Sequence, residues 1–344
     1  MGTIQKDFID VVENKKSGIG ARLVQTALLT GTCMYGPLSS LIRMIELKRK
    51  KKLPCVVISV GNITWGGTGK TSLIELLVRE IIKKEKKVSI LMRGYGNDEN
   101  ILLQTQFPTV DVICGKNRYK NGMRYLTYNQ TDVFLLDDGF QQWGLYRDLD
   151  IITINCLNPW GNGYLIPRGN LREPIQSLQR ADIVILTNTN CVSGEKKDSI
   201  KQDITHFISI ENIFESIHQP QYFYRAGTPH EALSLDTLKG RKALIFSGIG
   251  SPDSFKKTLE DLHIVIAENV IFEDHHSYTV DDCATIKKMR DADASLSVIT
   301  TEKDLMRNHS LITEEINPYI LKVHMEIQDN YDGFIHRLDR ILGS

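Results

Sequence analysis

The sequence predicts an α/β protein with a doubly wound, mostly parallel sheet and a second, smaller α/β domain. Short apolar runs alternate with stretches whose apolar residues recur every three or four positions, a pattern typical of parallel strands joined by helices. The same alternation begins again after residue 150. Because 344 residues exceed what one hydrophobic core usually organises, we expect two domains.

The first domain is expected over residues 53–152. Residues 55–60 form an unbroken apolar run, typical of a strand buried on both faces, and residues 72–87 have helical spacing. A glycine-rich segment lies between them. Three further strands are predicted within residues 88–96, 108–115 and 131–140.

The second domain is expected over residues 153–305, with a boundary near 150–155. Strands are predicted within residues 151–155, 181–188, 242–250, 264–272 and 296–304. Residues 306–344 are predicted to form one more strand and a closing helix. The sequence leaves open which of the two domains they pack on.

Composition excludes some partners. The 42 basic residues balance 42 acidic ones, so no overall field attracts nucleic acid, and we expect no nucleic-acid partner. The six cysteines are scattered, with no spacing typical of a zinc site.

Residues 1–52 are predicted to form a membrane-associating segment. Residues 23–42 carry no charge, and residues 48–52 are all basic. The apolar stretch is long enough to span a bilayer, but its threonines, serines and glycines favour a helix lying in the interface, with the lysines facing anionic headgroups on the cytoplasmic side. An equally weighted alternative is a helix that docks on the protein's own core.

The strongest motif follows the first predicted strand and precedes the first helix. Glycines let several backbone N–H groups approach a phosphate chain, Lys70 reaches the β- and γ-phosphates, and the Thr71 hydroxyl binds Mg²⁺. The pattern is that of a P-loop, with Thr64 at the position of the usual first glycine. The predicted ATP-binding residues are consecutive: Thr64, Trp65, Gly66, Gly67, Thr68, Gly69, Lys70 and Thr71.

A P-loop needs acids near its metal, usually at the end of a neighbouring strand. Asp137 and Asp138 end the apolar run that begins at residue 133. Adjacent carboxylates repel each other unless a cation lies between them, so we expect one to contact Mg²⁺ and the other to order the surrounding shell. A helix-capping pair is the alternative.

Other classes of P-loop protein fit less well. The guanine-binding N-K-x-D motif of regulatory GTPases is absent, since residues 301–304 are T-E-K-D. Partition-type ATPases have a second lysine where this sequence has Trp65.

A set of further motifs occurs in one order: GNITWGGTGKTS, RGYG, DDGFQ followed by RDLDI, NGYLIPRGNLREP, FSGIGSP, FEDHHSYT and TTEKD. In this order, over residues 20–305, they resemble the lipid A 4'-kinases, also called tetraacyldisaccharide 4'-kinases. Several motifs are particular to that family. The resemblance implies a P-loop NTPase-like domain joined to a second α/β domain.

It also implies an activity. ATP, with Mg²⁺, would phosphorylate the 4'-hydroxyl of a tetraacylated, 1-phosphorylated glucosamine disaccharide. Because that lipid lies in a membrane, the resemblance implies association with the cytoplasmic face of the inner membrane through the N-terminal segment.

The resemblance also suggests the acid–base residues. The family motif G-D-E-P corresponds to residues 97–100, with Asn97 and Asn100 replacing the glycine and the proline. Asp98 is therefore our candidate for the general base, with His275 as its partner. Because these residues fall in different predicted domains, we expect the domains to close over the substrate. By itself, the segment would be interpreted as a solvated turn.

Other residues are assigned by the same resemblance. Arg118 matches an arginine that holds substrate or γ-phosphate, although a surface salt bridge is an equal alternative. Glu173, with Arg172, matches an acid near the metal, although an exposed carboxylate at a helix start would look the same. Gln141 is a candidate for hydrogen bonding to substrate. His276 is interpreted as a packing or capping histidine, and Gly248 and Gly250 as a tight turn.

Two other functions stay open. One is a P-loop ATPase that drives an assembly cycle, and the other is a membrane-tethered nucleotide sensor without catalytic activity.

Overall fold

The computed structural model describes residues 18–94 and 98–343. The chain alternates strands and helices, as the apolar pattern predicts. The helices are α1 (Ile19–Lys48), α2 (Lys70–Lys83), α3 (Asp98–Gln106), α4 (Arg118–Leu126), α5 (Gly194–Thr205), α6 (Pro252–Asp261), α7 (Val280–Ala292), α8 (Glu302–Arg307), α9 (His309–Glu315) and α10 (Tyr331–Leu342). The strands are β1 (Val56–Gly61), β2 (Val88–Met92), β3 (Asp111–Cys114), β4 (Val133–Asp137), β5 (Leu149–Asn155), β6 (Ile183–Thr187), β7 (Ile213–Arg225), β8 (Thr228–Leu233), β9 (Lys242–Ser247), β10 (Val265–Ile271), β11 (Ser297–Thr301) and β12 (Tyr319–Ile327).

The described chain divides into two compact units. The first contains residues 18–93, 110–217 and 327–343, and the second contains residues 94, 98–109 and 218–326. This division differs from the boundary that we expected near residue 152. The physical reason is strand pairing, because β6 pairs with β5, and β7 begins beside β6, so residues 153–217 extend the sheet of the first unit.

The sheet of the first unit has the order β3, β2, β4, β1, β5, β6, followed by the first residues of β7. The pairs β1–β4, β1–β5, β2–β3, β2–β4, β5–β6 and β6–β7 are parallel. Since β1 is central and both β1 and β4 are buried, their carboxyl ends meet at the edge where such sheets bind ligands.

The sheet of the second unit has the order β10, β9, β11, β12 and the later residues of β7, which also pair with β8. Here β9 pairs in parallel with β10 and β11, and β11 pairs in parallel with β12. Apolar side chains from both faces, among them Phe246, Ile286 and Ile245, form its core. The predicted α/β class and mostly parallel sheet are confirmed.

The pair β7 and β8 was not predicted from the sequence. These strands pair antiparallel, and β7 is buried near its ends, half-buried or exposed in its middle, and contains Pro220. A strand with one partly solvated face lacks the continuous apolar run that marks buried parallel strands, so its pattern is weak.

The two C-terminal elements belong to different units. β12 pairs with β11 in the second unit, whereas α10 packs on the first. There Phe334 meets Phe214 edge to face at 5.6 Å, and Asp339 forms an ion pair with Lys84. The sequence left open whether residues 306–344 pack on the first or the second domain. The strand packs in the second unit and the helix on the first.

Helix α1 docks on residues 165–173 of its own unit through small and polar side chains. The Thr32 hydroxyl donates to the carbonyl of Leu165 (3.0 Å) and accepts from the N–H of Arg168 (3.1 Å). The approach is close, since a Cβ at Gly31 would lie 3.1 Å from Pro167 Cγ. The docking alternative is therefore confirmed for this face of the helix.

In the part of the chain that the structure describes, no helix has both the length and the apolar character needed to cross a membrane.

Candidate active site

The glycine-rich loop connects β1 to α2, as the motif predicts. Gly66 and Gly69 have positive φ angles of 111° and 88°, in the left-handed region where a side chain is strained. Helix α2 begins at Lys70, directly after the loop. The loop therefore ends on a helix N-terminus, where backbone N–H groups favour an anion.

Side chains at the ends of the neighbouring strands β5 and β6 hydrogen-bond to the backbone of the loop. Asn155 Nδ2 donates to the carbonyl of Gly67 (3.2 Å), and the Thr187 hydroxyl donates to the carbonyl of Thr68 (3.1 Å). The Thr68 hydroxyl lies 2.8 Å from that of Thr153. Because the N–H of a planar trans peptide points opposite to its C=O, these contacts turn the following N–H groups away from the sheet. Asn155 and Thr187 were not among the residues predicted from the sequence.

The start of the loop is fixed by the segment around residue 171. The Trp65 N–H donates to the carbonyl of Asn170 (2.7 Å), and the Arg172 N–H donates to the carbonyl of Ile63 (2.8 Å). Thr64 is buried and forms an antiparallel bridge with Leu171. The residue that replaces the usual first glycine therefore has a structural role in this bridge.

Asp137 is the last residue of β4, and Asp138 follows it. Asp137 is buried, and its backbone is paired with that of Val60 on β1. Asp138 adopts a left-handed conformation (φ 51°) and its side chain is 28% exposed.

Asp138 is surrounded by positive charge. Arg172 Nη1 donates to both of its carboxylate oxygens (2.7 and 2.8 Å), and Lys70 Nζ lies 3.8 Å from Oδ1. Burial by itself raises the pKa of Asp138, but Lys70 and Arg172 outweigh it and hold the pKa below its usual value. The carboxylate is thus ionised at neutral pH.

Arg118 is a buried cation, unlike the partly exposed Lys70 and Arg172. It is the first residue of α4 and only 3% exposed. Burial lowers its pKa, opposed by the nearby charge of Asp137. Its Nη1 donates to the carbonyl of Lys116 (3.2 Å), while its buried Nε has no hydrogen-bond partner among the described residues. The alternative of a surface salt bridge is therefore wrong.

Gln141 and Glu173 are held by protein groups. Gln141 Nε2 donates to the carbonyl of Asn62 and to Glu173 Oε1, both at 3.0 Å. Arg180 grips Glu173 with two nitrogens, at 2.8 and 3.1 Å, and Arg43 of α1 lies 3.7 Å away. Glu173 is buried, so the alternative of an exposed carboxylate is wrong.

The predicted metal ligands do not form a cluster of three acids. Over residues 18–94 and 98–343, no group of three or more His, Cys, Asp or Glu side chains could hold a metal. Asp137 is the last residue of β4, Asp138 follows it and Thr71 lies in the first turn of α2, whereas Glu173 is bound to Arg180. Two carboxylates with a hydroxyl and substrate phosphates are a normal Mg²⁺ environment.

Asp98 begins α3, a helix that the sequence analysis interpreted as a turn when the resemblance was set aside. Residues 95–97 lie outside the described residues, and so does the side chain of Asp98. The next residue, Glu99, forms an ion pair with Lys303 Nζ at 3.0 Å.

His275 lies in the second unit on a loop after β10. It adopts a left-handed conformation (φ 61°), and its N–H donates to the carbonyl of Gly248 (3.0 Å). Its side chain is 57% exposed, with Nε2 4.0 Å from Asp274 Oδ1. Asp98 and His275 both belong to the second unit, so our expectation that they fall in different domains is wrong. The error came from the assumed boundary near residue 152.

The minor assignments nearby are confirmed. His276 stacks on Phe272 with ring centroids 4.6 Å apart, and its Nε2 lies 2.9 Å from Asp282, which caps α7 with Thr279. It is a packing histidine. The glycines at 248 and 250 form the turn between β9 and α6.

Comparison with known proteins decides the family. The family model described as "Tetraacyldisaccharide-1-P 4'-kinase" matches residues 24–99 and 97–342, nearly the whole chain. The chain belongs to the tetraacyldisaccharide 4'-kinase family. The resemblance inferred from the motifs is confirmed.

Members of this family from distant organisms are similar to the chain. A tetraacyldisaccharide 4'-kinase of Syntrophus aciditrophicus is 35% identical, covering 82% of this chain and 83% of its own. That of Halothermothrix orenii is 32% identical over 96% of both chains. A probable mitochondrial tetraacyldisaccharide 4'-kinase of Arabidopsis thaliana is 30% identical, covering 83% of this chain and 81% of its own.

A solved structure of the 4'-kinase family supports the fold. The structure of LpxK from Aquifex aeolicus, described as an "apo" form in complex with ATP, superposes with a TM-score of 0.68 at 27% identity. The match covers 93% of this chain and 99% of that one. Both units are therefore part of the fold of this kinase family.

Proposed function

We propose that the protein transfers the γ-phosphate of ATP to the 4'-hydroxyl of a tetraacylated glucosamine disaccharide 1-phosphate. The observation that carries the proposal is the gathering of Lys70, Arg118 and Arg172 around two strand-end carboxylates beside a glycine-rich loop. Family membership gives the acceptor, since the relatives are named for this reaction.

The cations have a defined task in this chemistry. Negative charge builds up on the transferred phosphoryl group, and fixed positive groups stabilise it without reorganisation. Lys70 would contact the β- and γ-phosphates from the start of α2. Arg118, with a buried N–H that lacks a partner among the described residues, and Arg172 would contact the γ-phosphate or the substrate. Gln141 would orient the substrate by hydrogen bonding to it.

The residues present also fit Mg²⁺. Asp138 is ionised because Lys70 and Arg172 lower its pKa, Asp137 is adjacent, and the Thr71 hydroxyl begins the same helix as Lys70. These three oxygen donors would hold the ion, which supplies charge neutralisation between the phosphates. Glu173 is bound to Arg180 and Gln141, so it would hold the residues around the ion in place rather than bind the ion itself.

We assign the proton transfer to Asp98. A sugar hydroxyl is a weak nucleophile, so a carboxylate that takes its proton as the oxygen attacks the γ-phosphorus raises the rate. The bond between the β- and γ-phosphates breaks, and ADP leaves. His275 would orient the carboxylate and share the proton. This assignment is supported by the position of Asp98 after the R-G-Y-G motif.

We also infer that the protein works at the cytoplasmic face of the inner membrane through α1. The half-buried residues of α1 recur every three to four positions and form one face: Ala21, Gln25, Leu28, Gly31, Thr32, Tyr35, Gly36, Ser39, Arg43 and Glu46. The other face exposes large apolar side chains, among them Leu23, Met34, Leu38, Leu41 and Ile45. An apolar outer face beside the basic residues 48–52 suits an anionic lipid surface.

The kinase assignment is tested with purified protein, MgATP and the tetraacylated disaccharide. Phosphorylated lipid should form in proportion to the ATP consumed. Asp98→Ala should lower turnover by about 10²–10⁴-fold with ATP affinity nearly unchanged, because a base acts on the acceptor. Lys70→Ala should lower turnover by about 10²–10³-fold and weaken ATP binding as well.

The same assay distinguishes the rival functions. ATP loss that does not depend on the lipid would indicate an ATPase that drives a cycle, and neither loss nor product would indicate a nucleotide sensor. Full activity of Lys70→Ala would contradict the proposal in every form.

Vesicle co-sedimentation tests the membrane surface. Leu41→Glu should lower binding to anionic vesicles by about tenfold, since one leucine side chain is worth roughly 1.5 kcal/mol or more when buried. Ile210→Glu replaces an equally exposed apolar residue away from α1 and should leave binding unchanged. Equal loss in both variants would exclude α1 as the contact surface.

A further inference from the structure

The short helix α8 lies at the centre of a hydrogen-bonded network in the second unit. It follows β11 directly and carries the T-E-K-D motif, which the assignment of the active site leaves without a role. We propose that α8 is a positioning element that holds both the helix bearing Asp98 and the loop bearing His275. This inference rests on the proposed acid–base roles of those two residues.

One side of α8 holds α3. Lys303 Nζ forms an ion pair with Glu99, the residue after Asp98, at 3.0 Å. Gln106 Nε2, at the last residue of α3, donates to Glu302 Oε2 at 3.3 Å. The helix that begins with Asp98 is therefore fastened near both of its ends to neighbouring residues of α8.

Glu302 is itself fixed by other groups of the second unit. Lys322 Nζ lies 2.6 Å from Glu302 Oε2, and the Tyr224 hydroxyl donates to Oε1 at 3.2 Å. Burial and the charge of Glu302 raise the pKa of Tyr224, so the phenol stays a donor. Any ligand that contacted Glu302 would have to displace these partners, which favours a positioning role.

The opposite side of α8 holds the backbone of His275. Asp304 Oδ1 accepts from the N–H of Gly248 (2.8 Å), and Arg307 Nη1 donates to the carbonyl of the same glycine. That carbonyl also accepts the N–H of His275 (3.0 Å). Gly248 thus connects α8 to His275, since its N–H binds Asp304 and its carbonyl binds both Arg307 and His275. A Cβ at residue 248 would lie 2.8 Å from the carbonyl oxygen of Glu273.

The residues flanking His275 are fastened to the same two side chains. The Tyr278 hydroxyl donates to Asp304 Oδ1 (2.8 Å), and Arg307 Nη2 lies 3.7 Å from Asp274 Oδ1. Asp304 is fully buried, and Arg307 pairs with it at 2.8 Å. The loop is therefore fixed before and after His275, which itself remains largely exposed.

The sizes of the expected effects on stability and on rate distinguish a positioning role from a purely stabilising one. The Lys303–Glu99 pair is partly exposed, with side chains 34% and 22% accessible, so it contributes little to stability. It nevertheless joins residues 204 positions apart in the chain. Displacing a catalytic group by about 1 Å costs on the order of 10²-fold in rate, far more than that stability contribution.

Steady-state kinetics of Lys303→Met and Tyr278→Phe test the inference. Each should lower kcat by about 10- to 10²-fold while the KM for ATP stays near normal, because neither residue belongs to the ATP-binding loop. Lys287→Met is the matched control, since it removes the Lys287–Glu315 pair (3.3 Å) between α7 and α9 of the same unit. Its kcat should be unchanged.

Rescue and coupling sharpen the test. Lys303→Arg keeps the charge and should restore kcat, and Lys303→Met should have no further effect in a Glu99→Gln background, because both act through one contact. Normal kcat in Lys303→Met and Tyr278→Phe, with Asp98→Asn inactive, would overturn the inference while the proposed function stands. Full activity of Asp98→Asn would instead contradict the proposed base, and the inference would fall with it.

Discussion

Two aspartates of this molecule, Asp138 in the first unit and Asp304 in the second, are each paired with an arginine but differ in everything else. Asp138 is 28% exposed, and its partners Lys70 and Arg172 are long cations at the edge of a sheet. Asp304 is fully buried and accepts from Thr301, Tyr278, Gly248 and Arg307.

The difference shows that the same type of side chain can serve two different tasks, depending on the groups that surround it. A carboxylate with solvent access and lysine or arginine partners can exchange one cation for another, as binding of Mg²⁺ and phosphate requires. A carboxylate enclosed by donors cannot exchange partners without leaving several polar groups unsatisfied. Asp138 therefore suits ligand binding, and Asp304 suits fixing a loop.

The largest expected effect is on stability. Asp304→Ala should lower the free energy of unfolding by about 3–5 kcal/mol, because it removes the buried carboxylate that lies 2.8 Å from the buried Arg307. Denaturant unfolding followed by circular dichroism measures this loss. A change under about 1 kcal/mol would mean that the enclosed carboxylate does not differ from a surface one.

Next comes an effect on turnover. Asp138→Ala should lower kcat by about 10²–10³-fold, since the charge that orders the phosphate side of the site is lost. Its free energy of unfolding should change by less than about 1 kcal/mol, as expected for a partly exposed pair. Kinase assays and unfolding of the same preparation give both values, and a large loss of stability would remove the contrast with Asp304.

The pH dependence of stability sharpens the comparison. Because the pKa of Asp138 is lowered in the folded state, its ionised form stabilises the fold above the unfolded pKa of about 3.9. That stabilisation should fade as pH falls through the lower, folded pKa. The difference in unfolding free energy between unaltered protein and Asp138→Asn should therefore shrink below about pH 4. A difference that grows in acid would contradict the lowered pKa.

The smallest expected effect comes from one donor among several. Thr301 caps α8 and donates to Asp304 Oδ2 at 2.6 Å. Thr301→Ala should lower the free energy of unfolding by about 1 kcal/mol, because the other donors to Asp304 remain. Thr300→Ala alters the adjacent residue, whose hydroxyl binds the carbonyl of Phe246 instead, and serves as the control for local burial.

Much of the fold followed from the sequence, and the exceptions have physical causes. Buried parallel strands such as β1, β4 and β6 carry continuous apolar runs, which is why they were predicted. The hairpin of β7 and β8 has a half-solvated face and escaped notice. The boundary near residue 152 was misplaced because strand pairing, which extends the first sheet through β6, leaves no mark in local composition.

The positions of the candidate site residues in the fold were predictable where a motif defines them locally. Lys70, Thr71 and the acid pair at the end of β4 follow from strand, loop and helix in sequence order. The roles of Asn155 and Thr187 depend on strands that are distant in sequence but adjacent in the sheet. The burial of Arg118 and the capture of Glu173 by Arg180 likewise depend on packing.

The seat of α1 has a practical consequence for handling the protein. Tyr35 donates to the carbonyl of Arg172, and Arg43 lies beside Glu173, so the inner face of the helix supports residues next to the site. Deleting the helix to improve solubility would uncover Leu165 and Pro167 and loosen those residues. Polar substitutions confined to its outer face, for example at Leu23 and Met34, should yield a tractable enzyme that retains its chemistry.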